Sequence, residues 1–263
     1  MPSSNQTAML PLPEEVEKLI ADLAHRARKS HGPLMKLVNF AGTKAENLLS
    51  SLPDAIKDTI QETTTIALEQ IYNGASIGSR SRFTPNVGQS GHAIASIVTG
   101  AAGGFVGLST AIVELPLTIS IIFAAIQKAA RKNGFDPDQE EIRRECLLVF
   151  GAGDPLDSSD DGSNTSFLAS RIIINGATAQ SIIASVAPRL AVVLTEKLAS
   201  QALPLLGSVT GATINYAFTS YYQELAEIRF ALLRLAKAHG EDRVRLSFNA
   251  AAAEQKRLER RPR

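Results

Sequence analysis

Two long stretches without formal charge constrain this chain more than any other feature. Between residues 83 and 127 the only Asp, Glu, Lys or Arg is Glu114. Between Lys197 and Glu224 a further 26 residues carry none. Both stretches hold glycines four apart: Gly100 with Gly104, Gly103 with Gly107, and Gly207 with Gly211. A glycine costs about 1 kcal/mol relative to alanine inside a helix. The cluster in TGAAGGFVGLSTAIVELPLT (99–118) therefore needs a compensating contact. Residues four apart share one side of a helix, and a side paved with glycine lets another backbone approach closely. The pattern predicts two glycine-faced helices at the centre of the fold.

The rest of the chain reads as amphipathic helix. In PLPEEVEKLIADLAHRARKS, Pro13 suits a first turn, Glu14 and Glu15 match the positive end of the helix dipole, and Arg26, Arg28 and Lys29 match the negative end. Val16, Leu19, Ile20, Leu23 and Ala27 form its apolar face. A second helix is expected over 33–51. A third follows Pro53, with Ile56, Ile60, Ala67, Leu68 and Ile71 inward and Asn73-Gly74 as its stop. Further helices are expected up to Gly134, over 137–150, 167–175 and 177–202, and on to Ala238. Period-two alternation is absent, and Trp is missing altogether. The expectation is an all-α fold: one multi-helix domain over 11–240, built around the two glycine-rich helices. Residues 1–10 form a flexible N-terminus, 151–166 (GAGDPLDSSDDGSNTS) a flexible loop, and 241–263 a charged C-terminal tail with helical potential.

A membrane span needs about 20 mostly apolar residues. Residues 93–113 reach that length but are rich in Gly, Ala, Ser and Thr, and the apolar run after Glu114 is too short to return. A carboxylate deep in lipid costs about 2.5–3.5 kcal/mol. A buried core or a membrane-surface association is favoured over a polytopic arrangement. The net charge of +1 argues against nucleic acid as a partner. The start of the chain lacks the basic-then-apolar pattern of a secretion signal.

Catalytic patterns are scarce. His25, His31, His92 and His239 stand at no metal-binding spacing, and no metal or cofactor is expected. Cys146, in an apolar helix without a marked base, reads as a packed thiol. Asp154, Asp157, Asp160 and Asp161 lack calcium-loop spacing. The best polar constellation is Glu114, Asn215 and Arg229, each near a glycine block. Pro116 breaks the helix just ahead of itself. Glu114 would sit at that break and bridge the glycine helices, with Asn215 as first partner and Arg229 as second. The role is structural first, with ligand binding as the alternative.

The segment GAAGGFVGLSTAIVELPLTISIIFAAIQKAARKNGFDPDQEEIRRECLLV resembles the signature region of the EcsC family. The likeness lies in the glycine cluster, then Glu114-Leu115-Pro116, then Gly134 with Phe135, then the acidic and basic segment from Glu140 to Glu145. A second block, with Gly207, Gly211 and Asn215, is similar to the family's C-terminal block. Together these cover roughly residues 35–240. The family usually shows Asp-Leu-Pro, so Glu114 is a departure. The resemblance implies a cytoplasmic protein, peripheral to the inner face of the membrane, associated with a membrane surface or with a membrane protein of ABC-transporter type. The expected function is that of a non-enzymatic helper or interaction protein. The alternatives are a hydrolase using Glu114 in a helical pocket, or a protein that binds lipid or another apolar ligand.

Overall fold

The computed structural model describes residues 11–30, 52–74, 112–151, 177–201 and 211–259. Within them the chain forms seven α-helices and no strand: α1 (Glu14–Lys29), α2 (Asp54–Tyr72), α3 (Leu115–Lys132), α4 (Glu140–Val149), α5 (Ala179–Gln201), α6 (Gly211–His239) and α7 (Glu241–Glu259). The all-α expectation holds. The glycines at 100, 103, 104, 107 and 207 lie outside the described residues, as do the expected helices over 33–51 and 167–175, the N-terminal ten residues and nearly all of the 151–166 loop. Among the described residues no helix is long and apolar enough to cross a membrane.

The helix ends follow local chemistry. Pro13 and Pro53 cap α1 and α2, each with its carbonyl accepting the first backbone hydrogen bonds of the helix. Gly74 and Gly134 adopt φ of 77° and 85°, a left-handed backbone that favours glycine. At the end of α3 the amide of Phe135 donates to the Ala130 carbonyl and that of Gly134 to Arg131, both at 3.0 Å. This is a Schellman closure. It turns Phe135 back onto Phe230 of α6, with ring centroids 5.7 Å apart. The last turn of α2 has no basic residue of its own. Arg143 of α4 supplies one, donating to the Tyr72 carbonyl at 3.3 Å and lying over the Tyr72 ring.

Helix α3 is central, packed between α2 and α6; α5 lies against α2, and α4 touches α3, α5 and α6. Its inner face, Leu115, Ile119, Ile122, Phe123, Ile126, Ala129 and Ala130, is buried. Phe123 stacks on Phe150, which meets Tyr222 of α6. These contacts, together with Lys132–Glu227 and Phe135–Phe230, show that α3 and α6 run in the same sense.

Two expectations need correction. On α1 the buried residues are Ile20, Leu23, Ala24 and Ala27, while Leu19 is exposed: the buried stripe runs through Ala24 instead, because α1 is covered by α6 and α7 from that side. The segment after His239 is helical, as its sequence allowed, but is packed and not only a charged tail. Gly240, at φ 93°, reverses the chain, and α7 packs back on α6 and α1. Val244, Phe248 and Ala252, spaced by four, are buried in that contact. Arg243 Nη2 donates to the Pro11 carbonyl at 2.7 Å, and His25 Nδ1 lies 3.4 Å from Gln255 Oε1, so α7 runs parallel to α1. The charged residues that gave the segment its tail-like composition lie on its outer side.

If α7 belongs to the cooperative core, Phe248→Ala should destabilise the protein by about 3–5 kcal/mol. Urea unfolding followed by circular dichroism measures this. A cost below about 1 kcal/mol would mean that α7 is merely laid on a core complete without it.

Candidate functional site

The buried charged residues among those described fall towards the two ends of α3. At its C-terminal end, Arg229 of α6 and Glu145 of α4 are both enclosed, at 1% and 3% exposure. Arg229 donates from Nε and Nη2 to Glu145 Oε2 at 3.3 and 3.2 Å. Glu145 sits on the inner face of α4 beside Ile142 and Val149, all three buried. A charge on such a face must be paired. The expected contact between Arg229 and Glu114 is therefore replaced by a pair with Glu145. The reason is geometric: Arg229 neighbours Phe230, which meets Phe135 beyond the end of α3, whereas Glu114 caps the other end of this 18-residue helix. At 1.5 Å per residue the two are about 27 Å apart along the axis.

The thiol of Cys146, next to Glu145, is fully enclosed; burial first, and then the neighbouring carboxylate, push it far above the usual thiol range. It is a packed thiol and no nucleophile.

Between α1, α3 and α6 lies a half-buried ionic network. Arg26 clasps Glu224 with two hydrogen bonds of 2.8 and 3.0 Å and reaches Glu227 at 3.4 Å. Lys132 donates to Glu227 at 2.9 Å. The bond to Glu224 raises the Arg26 guanidinium above its ordinary value. Burial pushes the Glu227 carboxyl up, but the hydrogen bonds from Lys132 and Gln223 outweigh it and leave the group below its ordinary value. The network ties α1 and α3 to α6.

The N-terminal end of α3 is different. Ile112 and Val113 are helical, Glu114 interrupts them as a turn, and α3 begins at Leu115 with Pro116 in its first turn. The break expected before Pro116 is present, though slight: Glu114 keeps helical angles (φ −81°, ψ −13°), and its carbonyl accepts from the Thr118 amide at 3.0 Å. The Glu114 side chain is exposed and makes no cap of its own. Asn215 lies in the second turn of α6, three residues before Phe218 and so on the same helix side at this same end; its side chain lies outside the described residues.

The residue that the structure adds is Lys197. It is 3% exposed, and its Nζ lies 5.9 Å from the centroid of the Phe218 ring. Among the described residues it has no hydrogen bond or ion pair. Burial lowers its ammonium to about 8, and the Glu114 carboxylate acts in the opposite direction. Glu114 therefore has a cation as its electrostatic neighbour, and that cation comes from α5. A signal for Lys197 was present in the sequence: it continues the buried face of Leu190, Val193 and Leu194 at helical spacing, at the border of an uncharged stretch. The same holds for Glu145 between Ile142 and Val149. Both look like ordinary boundary charges unless each is placed on its helix face. Among the described residues no group of three His, Cys, Asp or Glu comes together to hold a metal ion.

Lys197 titrates below the ordinary lysine value of 10.5. Between pH 8 and 10.5 the folded state thus binds fewer protons than the unfolded state, and stability contributed by this group rises with pH across that window. At pH 7 the buried ammonium opposes folding. Lys197→Met should stabilise at pH 7 by on the order of 1–3 kcal/mol, with the gain vanishing above pH 10.5. Urea unfolding at a series of pH values checks this; a variant that is less stable at pH 7 would contradict it.

The structure brings Glu114, the start of α6 and Lys197 to one end of α3, and takes Arg229 to the other. Comparison with known proteins fits the two sequence blocks described above. No curated protein and no solved structure matches the chain. The model of the EcsC protein family matches residues 2–235, from before α1 into the last turns of α6, and leaves only α7 and the C-terminus beyond it. With that extent of match, the chain belongs to the EcsC protein family.

Proposed function

We propose that this protein is a membrane-peripheral interaction protein that works without catalysis and docks through the outward face of α3. The observation that supports this is a gradient along that face. Val113, just ahead of α3, and Leu117 and Ile121 on it are spaced by four and are 64%, 51% and 51% exposed. Ala124 continues the line, and exposed Lys128 and Arg131 end it. Neither of these two cations makes an ion pair among the described residues. Tyr216, 74% exposed, stands at the same end of the bundle as Val113. A row of large apolar side chains in water is unfavourable by about 25 cal/mol per Å² left uncovered. Apolar residues grading into cations suit the boundary of an anionic bilayer, where the first enter the acyl region and the second meet headgroups. The setting is the cytoplasmic face of the membrane, with a membrane protein of ABC-transporter type as partner by analogy with the family. On this reading the helix lies on the surface and does not span.

Flotation with vesicles of phosphatidylcholine and phosphatidylglycerol tests it. The full chain should float with anionic vesicles and lose most of that binding at high salt. Leu117→Glu with Ile121→Glu should remain folded, since both positions are exposed, and should stay at the bottom of the gradient. Equal flotation of parent and double variant, or no flotation of the parent, would overturn the reading.

A further inference from the structure

The outer side of α7 supports an inference that is independent of membrane docking through α3. This helix follows the part of the chain matched by the family model, so the family match assigns nothing to it. Its inner side is fixed. Val244, Phe248 and Ala252 are buried, and the contacts of Arg243 with Pro11 and of Gln255 with His25 hold α7 along α1. The opposite side carries Asp242, Leu246, Asn249, Ala250, Ala253 and Arg257, all exposed. At 3.6 residues per turn these six share one face about 100° wide. Leu246 is its large apolar group, 57% exposed. Asn249, Ala250 and Ala253 are small enough for a second helix to come close. Two features identify the occupant. The first is symmetry: from Asp242 the steps between successive face residues are 4, 3, 1, 3 and 4, the same in both directions. The second is charge: the face begins with an acid, Asp242, and ends with a base, Arg257. In the free protomer Asp242 is held by Arg245 at 2.9 Å and Arg257 by Glu254 at 2.8 Å. These exposed pairs contribute little stability, but they keep both end charges on ordered helical turns.

We infer that the outer face of α7 is a self-association surface, on which the same helix of a second copy of this chain lies antiparallel. A two-fold axis between Asn249 and Ala250 sets Asp242 opposite Arg257 of the partner subunit, Leu246 opposite Ala253 of the partner subunit, and Asn249 opposite Ala250 of the partner subunit. In a two-fold contact each pairing occurs twice, so both ends of the face are matched at once. A parallel copy would set acid against acid at one end and base against base at the other, and like charges across an interface suppress that alternative. Leu246 over the small Ala253 supplies the apolar contact, and Asp242 with Arg257 sets direction and register. A single helix pair is smaller than the roughly 1,200–2,000 Å² of stable interfaces. The dimer is therefore weak and reversible, and fills as concentration rises.

Sedimentation equilibrium of the full chain, without vesicles, at low salt and at loading concentrations from about 10 to 500 μM, tests this. The weight-average mass of the parent should rise from the monomer value towards twice that value. Leu246→Glu should stay monomeric throughout. Asp242→Arg and Arg257→Asp each set like charges opposite one another, so each should self-associate at least about fivefold more weakly than the parent. An equimolar mixture of these two variants should regain the parent's association, because an antiparallel pair of the two unlike chains again matches opposite charges at both ends. All three positions are on the outer side of α7, so the variants should keep the parent's circular dichroism spectrum and melting temperature. A parent that is monomeric at 500 μM, association indifferent to Leu246→Glu, or a mixture that associates no better than its two components would overturn the inference. Vesicle flotation is a separate readout, so failure of the docking reading and failure of this one are distinguishable.

Discussion

The enclosed pair of Arg229 and Glu145 is the constraint around which the helices are arranged. Two charges removed from water each carry a desolvation penalty of several kcal/mol, and only close, well-hydrogen-bonded partners offset it. The pair therefore fixes the short helix α4, through Glu145, to α6, through Arg229. Once α4 is fixed, Phe150 at its end is brought between Phe123 and Tyr222, and Arg143 reaches the end of α2. A ten-residue helix such as α4 has little stability of its own. Its place in the fold comes from these contacts, and the ion pair admits only one rotational setting of the helix.

The two ends of α3 then differ in kind. At the C-terminal end the buried Arg229 is paired with Glu145, the half-buried Arg26 with Glu224, and the exposed Lys132 with Glu227. At the N-terminal end the balance is incomplete. Lys197 is buried with no hydrogen bond among the described residues, Glu114 is exposed, and Val113, Leu117 and Ile121 are exposed. Paired charge is concentrated at one end, and exposed apolar surface at the other. The docking proposal draws on the second end, through its exposed apolar row.

Much of this arrangement was legible in the sequence where local physics governs it. The entry of α1 at Pro13, the stops at Gly74 and Gly134, and the break ahead of Pro116 depend on single residues and their immediate neighbours. The apolar face of α2 followed from helical periodicity. Pairings across the chain did not. Glu145 and Arg229 are 84 residues apart, and nothing near either names the other. Arg229 was assigned to Glu114 because both flank glycine blocks, a proximity in sequence pattern that the parallel course of α3 and α6 does not turn into proximity in space. Charged composition hid the packing of α7, whose buried stripe of Val244, Phe248 and Ala252 is thin but continuous. Lys197 served only as the edge of an uncharged run, because a formal count of charges does not show which helix face a charge occupies.

A double-mutant cycle on the enclosed pair tests the central claim most directly. Glu145→Leu and Arg229→Met each leave one buried charge without its partner and should each cost about 3–5 kcal/mol. The double variant replaces the pair by apolar groups of similar size, so its cost should fall well below the sum, with a coupling of at least about 2 kcal/mol. Urea unfolding of the four proteins at pH 7 supplies the numbers. Costs that simply add, with coupling within about 0.5 kcal/mol of zero, would contradict the account, because the fold would then not depend on the two charges meeting.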